Sequence, residues 1–287
     1  MANFLLSAFA DEGGSTIEEQ IDALKANGID HIEPRGINGV NIADYTSDMA
    51  KELKKRLDDA GIGVSSIGSP FGKIEITDDF APHFEKFKQC VENACILGTS
   101  NIRMFSFYFS KGESHAEYRD EVFERLEKMC DYSLKSNVWC CHENEKEIYG
   151  DTAERCLDIY KTLEGRIAAV FDPANFIQCS VDIPSALDLL TPYIRYFHIK
   201  DAVYATGNVV PAGKGEGHLR EVIARANTFG GDVFLTLEPH LRVFDGLAAL
   251  ENEGGTAYRL KDDYSYPTNR DAFNAAAAAM KELISEI

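Results

Sequence analysis

Glu143, Asp172, His198 and Glu238 are the residues whose types and settings point most directly to chemistry. Each ends, or lies in, a short apolar run: Val-Trp-Cys-Cys-His before Glu143, Ala-Ala-Val-Phe before Asp172, Tyr-Phe before His198 and Phe-Leu-Thr-Leu before Glu238. Three carboxylates and an imidazole brought together would repel one another if left empty, and a divalent cation removes that cost. One nitrogen with three carboxylates suits Mn²⁺, Mg²⁺ or Co²⁺ better than a thiolate-preferring site and is compatible with Zn²⁺; Mn²⁺ is the expected ion. Any one of these acids alone reads better as a helix cap or a solvated strand end. The case rests on the four together.

The elements that must position them alternate along the whole chain. Apolar, β-rich runs fall at Phe4–Phe9, His31–Glu33, Gly63–Ile67, Ile102–Phe105, Val138–His142, Ile167–Phe171, Tyr196–Ile199 and Val233–Leu237. Between them apolar residues recur at helical spacing, as at Ile17, Ile21 and Leu24, or Val122, Leu126 and Met129. Ser15-Thr-Ile-Glu18 reads as a capping box, Gly61 and Gly98 as helix ends, Asp151-Thr-Ala-Glu154 and Asp182-Ile-Pro-Ser as helix starts. Eight strands alternating with helices predict a single-domain (β/α)₈ TIM barrel over residues 1–287. Active sites in this fold form at the C-terminal ends of the strands, where the four candidate ligands fall. A doubly wound sheet is the alternative, weakened by the lack of a G-x-G-x-x-G after the first strand. The long irregular segment His240–Thr268 follows the eighth strand and is placed to act as a lid or substrate contact, or as a mobile surface excursion.

Composition sets outer bounds. Hydrophobic residues make up 45% of the 287, enough for a sizeable core, and no apolar stretch approaches the ~20 residues of a membrane span. The N-terminus has no basic segment before its apolar run, so a cytoplasmic protein is expected. A net charge of −18 opposes nucleic-acid binding, which depends on neutralising phosphates. The seven cysteines include no C-x-x-C pair and read as reduced, mostly buried thiols. A homo-oligomer is compatible with all of this.

Further residues near the strand ends are candidate substrate contacts. Lys200 could bond a substrate oxygen or point into the helix layer, and Asp201 could hold Lys200 or His198 in place. In Gly213-Lys-Gly-Glu-Gly217 the glycines could offer backbone N–H groups to a phosphate, with Lys214 supplying charge, or could form a plain connector. Arg35 could clamp an anion or pair with Glu33 or Asp11. Glu145 and His240 lie just beyond ligand positions. His142 should point away from Glu143 as a structural histidine, and Trp139 should pack.

These motifs carry a resemblance. His142-Glu143-Asn144-Glu145, Phe171-Asp172-Pro-Ala-Asn175, Phe197-His198-Ile-Lys200-Asp201, Pro211-Ala-Gly-Lys-Gly-Glu-Gly217 and Leu237-Glu238-Pro-His240 resemble the xylose isomerase-like TIM-barrel superfamily of sugar and sugar-phosphate isomerases and epimerases. Ile32-Glu33-Pro-Arg35 and Ser69-Pro-Phe-Gly-Lys73 agree with it in the N-terminal half. The resemblance implies that Glu143, Asp172, His198 and Glu238 bind the metal. It does not extend to a ketohexose specificity: ketose 3-epimerases of the superfamily often carry a histidine where this chain has Asn175. The implied reaction is proton transfer beside a carbonyl through an enediolate, with Glu143 and Glu238 flanking the substrate, one removing a proton and the other returning it. A polyol-ketone dehydratase on the same scaffold begins with the same step. An endonuclease IV-like repair enzyme fits poorly, since the second and third strand ends hold no histidine. A non-catalytic sugar-binding protein leaves the complete ligand set unexplained.

Overall fold

The run Ala2–Ala8 forms the first strand, β1, and pairs in parallel with the last, β8 (Gly231–Leu237), from Ala2 opposite Gly231 to Ala8 opposite Leu237. This pairing is the closure that strand counting alone leaves open. The computed structural model describes residues 1–109, 114–244 and 264–287. The other barrel strands are β2 (His31–Ile32), β3 (Gly63–Val64, resumed at Ile67–Gly68), β4 (Asn101–Met104), β5 (Trp139–Glu143), β6 (Ile167–Phe171) and β7 (Ile194–Ile199). One curled sheet runs from β1 through β8, β7, β6, β5 and β4 to the second half of β3. β2 completes the ring. It pairs with the first half of β3, and the N–H of Glu33 donates to the carbonyl of Ala8 at 3.0 Å. The expected eight-stranded (β/α)₈ barrel is therefore the fold.

Around the barrel lie α1 (Ile17–Ala26), α2 (Ser47–Ala60), α3 (Phe80–Leu97), α4 (Arg119–Leu134), α5 (Ala153–Thr162), α6 (Pro173–Gln178), α7 (Ile183–Leu190), α8 (Leu219–Asn227) and α9 (Asn269–Ser285). Gly61 and Gly98 close α2 and α3 in the left-handed conformation, where an L side chain would be strained. Two caps fall one residue later than expected. The capping box at α1 is Thr16 with Glu19, and Thr152 rather than Asp151 caps α5. Asp151 pairs instead with Arg155 one turn on. No described helix is long and apolar enough to cross a membrane.

The main core lies between strands and helices. A smaller cluster of Cys141, Ala168, Val170 and Tyr196, with Trp139 and Phe234 packed against it, fills the barrel interior. Trp139 is thus a packing residue, as expected. The cysteines are free, and five of them, Cys90, Cys130, Cys140, Cys141 and Cys156, are buried. Most of His240–Thr268 lies outside the described residues, so the lid expectation falls there.

Candidate metal centre

Barrel register brings the four candidate ligands together. Glu143 lies opposite Val170, two residues before Asp172, and His198 lies opposite Thr236, two residues before Glu238. Two residues is the side-chain period of a strand, so this stagger keeps all four pointing into the barrel mouth. One candidate ligand atom from each of Glu143, Asp172, His198 and Glu238 lies within 4.8 Å of the others, and all four residues are buried. His198 Nδ1 is 3.0 Å from Glu143 Oε1 and 3.5 Å from Glu238 Oε2.

The surroundings hold this cluster rigidly. Arg35 binds Asp11 through Nε (2.8 Å) and Nη2 (2.9 Å), reaches Glu12 through Nη2 (3.1 Å) and donates from Nη1 to Glu238 Oε1 (3.0 Å). Its guanidinium also packs between the rings of Phe9 and Phe244. The pairing of Arg35 with Asp11 is one of the two read from the sequence; its hold on Glu238 is not. As a clamp for a substrate anion Arg35 is already engaged with three carboxylates. Lys200 points into the mouth, not into the helix layer. Its Nζ lies 2.9 Å from Asp172 Oδ2 and 3.0 Å from Glu238 Oε2. Asn175 donates to Glu143 Oε1 (3.1 Å) and to the carbonyl of Asn144, so its amide steadies a candidate ligand. Its backbone N–H donates to Asp172 Oδ1 at 3.0 Å, so that Asp172 caps α6.

Other expected contacts sit further out. Glu145 pairs with Lys73 at 3.1 Å, and Lys73 lies over the Phe105 ring. His240 adopts a left-handed backbone conformation and donates its N–H to Glu12 Oε2 at 2.7 Å. Its Nε2 comes within 3.5 Å of Glu238 Oε1. His142 turns away from Glu143, with its ring nitrogens against Tyr160 Oη (3.1 Å) and Ser106 Oγ (2.9 Å), as a structural histidine should.

Two expectations are corrected in the loop after β7. Asp201 holds neither Lys200 nor His198. Its carboxylate accepts from the backbone N–H groups of Gly213, Gly215, Gly217 and Ala202, at 2.8 to 2.9 Å. The N–H groups read as a phosphate cradle are therefore taken by an internal carboxylate. Lys214 is exposed, and the Glu286 carboxylate at the end of α9 feels its charge after that of Arg220.

Electrostatics explain why the cluster suits a cation. Asp11, Glu12, Glu33, Glu143, Glu145, Asp172 and Glu238 gather in the mouth with Arg35, Lys73, Arg103, Lys200 and His198. Burial pushes Asp172 up to about 7 and Glu12 up to about 8. Burial also works to raise Glu143, but His198 and Arg103 outweigh it and hold that carboxyl at about 2. Burial disfavours charge on His198, yet Glu143 and Glu33 keep its pKa well above the ordinary value. Glu143 Oε2 and Asp172 Oδ2 have no hydrogen-bond partner among the described residues; Arg103 at 3.3 Å and Lys200 at 2.9 Å approach them only as ion-pair contacts. Buried oxygens in this condition fit a divalent cation. The cluster can hold a metal ion.

Comparison with known proteins agrees with this geometry. The model of the xylose isomerase-like TIM barrel family matches residues 21–259. The chain belongs to that family. No curated protein sequence matches it significantly. Among solved structures, this xylose isomerase-like barrel resembles the probable 3-DHS dehydratase AsbF, involved in petrobactin synthesis, from Bacillus anthracis (TM-score 0.71, 19% identity, 98% of this chain and 99% of that one). It also resembles an IolI protein with a bound zinc atom (0.74, 15%, 98% of each) and an L-ribulose 3-epimerase (0.72, 18%, 100% and 95%). At these identities the likeness concerns the fold. Sequence reading missed Arg103, Glu12 and the placement of Glu33. A lone arginine inside the buried run Asn101-Ile-Arg-Met was a usable signal for the first.

Proposed function

We propose that this protein is a cytoplasmic, divalent-metal-dependent isomerase or epimerase acting on a sugar or sugar phosphate by proton transfer next to a carbonyl. The observation that carries the reading is the buried cluster of Glu143, Asp172, His198 and Glu238, which contains two glutamates from different strands. An ion held by these four, with Mn²⁺ the first choice by donor set, would polarise a carbonyl and a neighbouring hydroxyl of the substrate. The chain's own residues then divide the work. Glu143 and Glu238 move the proton, one on each side of the substrate carbon. Lys200 and Arg35 fix the orientation of Glu238, and Asn175 fixes that of Glu143. Glu145, Lys73 and His240 line the approach as candidate substrate contacts.

A dehydratase acting on a cyclic polyol ketone is the second reading. Asn175 stands where ketose 3-epimerases often carry histidine, and AsbF, of similar fold over nearly the full length, is a probable dehydratase. Incubation with a panel of ketoses, their phosphates and cyclic polyol ketones in D₂O, followed by mass spectrometry, separates the two. Deuterium uptake with otherwise conserved mass supports isomerisation, and loss of water supports the dehydratase. No uptake and no product across the panel, with metal added, would count against both.

A further inference from the structure

Glu33 is fully buried at the end of β2, and the metal cluster as described does not use it. It belongs to the Ile32-Glu33-Pro-Arg35 motif, whose arginine is already accounted for. One carboxylate oxygen, Oε1, accepts from the hydroxyl of Tyr196 at 2.9 Å, and Ser66 Oγ lies 3.1 Å from that hydroxyl. The other oxygen, Oε2, faces Nε2 of His198 at 3.4 Å. Neither Oε2 nor Nε2 has a hydrogen-bond partner in good geometry among the described residues. Leaving two facing buried polar atoms unsatisfied is costly, and one proton between them resolves both.

The ring of His198 cannot escape the choice by turning. Phe9 packs against it edge-on, with centroids 5.2 Å apart, and Tyr196 does so at 5.5 Å. With the ring so held, Nδ1 faces Glu143 and Glu238 while Nε2 faces Glu33. Carboxylates face both nitrogens, so the metal-free ring is placed to carry a proton on each, and a cation bound at Nδ1 would leave the proton on Nε2. A proton on Nδ1 would block the only nitrogen that faces the cluster.

We infer that Glu33 is a positioning residue: it accepts the Nε2–H of His198, which fixes the tautomer that presents the Nδ1 lone pair to the metal, and Tyr196 holds Glu33 in place for this. The inference rests on the metal-site reading above. Carboxylate partners of ligating histidines act in this way on ring orientation and ligand basicity.

The test measures Zn²⁺ affinity by chelator competition in wild-type protein and in Glu33→Leu, Glu33→Gln and Tyr196→Phe, alongside long-range ¹H–¹⁵N spectra of the histidine rings with Zn²⁺ bound. In the wild type the His198 proton should reside on Nε2. Glu33→Leu should weaken Zn²⁺ binding about 10- to 100-fold. Glu33→Gln, which keeps an acceptor oxygen of the same shape, should recover most of that loss. Tyr196→Phe leaves Glu33 in place but unanchored, and should weaken binding a few-fold; it also serves if Glu33→Leu does not fold. Wild-type Zn²⁺ binding that is unchanged in Glu33→Leu and Tyr196→Phe, or a His198 proton on Nδ1, would overturn the Glu33 inference alone. A wild-type chain that binds no Zn²⁺ would overturn the metal reading and this inference with it.

Discussion

Asp172 and Asp201 are both buried aspartates at the C-terminal end of the barrel, one after β6 and the other after β7, and their surroundings are opposite. Asp201 is satisfied by the chain itself, through four backbone N–H groups from its own loop. Asp172 has one N–H bond, to Oδ1, while Oδ2 faces the Lys200 ammonium and the other candidate ligands. Burial pushes both carboxyl groups upward, and at Asp201 the N–H groups work against the rise. A carboxylate whose lone pairs are all used locally builds structure. One left facing three other ligand-type side chains is placed to bind something from outside. The same sequence signal, an acid just past a barrel strand, thus marks two different roles.

The sharpest way to break this comparison is at Asp172. Asp172→Asn should weaken divalent-metal binding at least ~10²-fold, more than loss of an outer partner does, with the melting temperature of the metal-free protein little changed. A variant that keeps wild-type affinity would move Asp172 into the same structural class as Asp201. Next come the two glutamates. Glu143→Gln and Glu238→Gln each keep an oxygen ligand but remove the base, so turnover should fall at least ~10²-fold while metal content falls less. Near-normal turnover in either would reject the paired-glutamate assignment.

At Asp201 the effect should move from binding to stability. An Asn there must turn an NH₂ group toward N–H donors, leaving some of them unpaired. Asp201→Asn should therefore cost about 2–4 kcal/mol in chemical denaturation, while each chain still binds metal with near wild-type affinity. A metal-binding defect as large as that of Asp172→Asn would erase the distinction. The smallest effect belongs to Lys214→Ala. With the loop N–H groups taken by Asp201 and the ammonium exposed, KM for a sugar and for its phosphate ester should each change less than about two-fold. A selective rise in KM for the phosphate would restore this loop as an anion site.

Much of the fold was legible because barrel strands, buried on both faces, read as short apolar runs, and Gly61, Gly98 and Asp182 mark helix boundaries by backbone chemistry that any sequence shows. The gathering of Glu143, Asp172, His198 and Glu238 was legible for a related reason: fold and strand-end position together dictate it. What the sequence hid was the partner of each charge. Nothing local distinguishes Asp201, which binds a loop a dozen residues on, from Asp172, or shows that Arg35 reaches across the barrel to Glu238. Those pairings depend on closure of β1 onto β8 and on side-chain reach in the mouth, which are tertiary facts. Glu33 escaped in the same way, since its target His198 lies on the far side of the barrel in sequence.

The central claim is that Glu143, Asp172, His198 and Glu238 hold one divalent ion. Elemental analysis of protein purified without chelator, followed by calorimetric titration of the metal-stripped chain with Mn²⁺, tests it most directly. The account predicts about one equivalent per chain, with binding that weakens as the pH is lowered and the ligands take up protons. Less than about a tenth of an equivalent as purified, together with no saturable uptake of Mn²⁺, Mg²⁺, Co²⁺ or Zn²⁺, would contradict it.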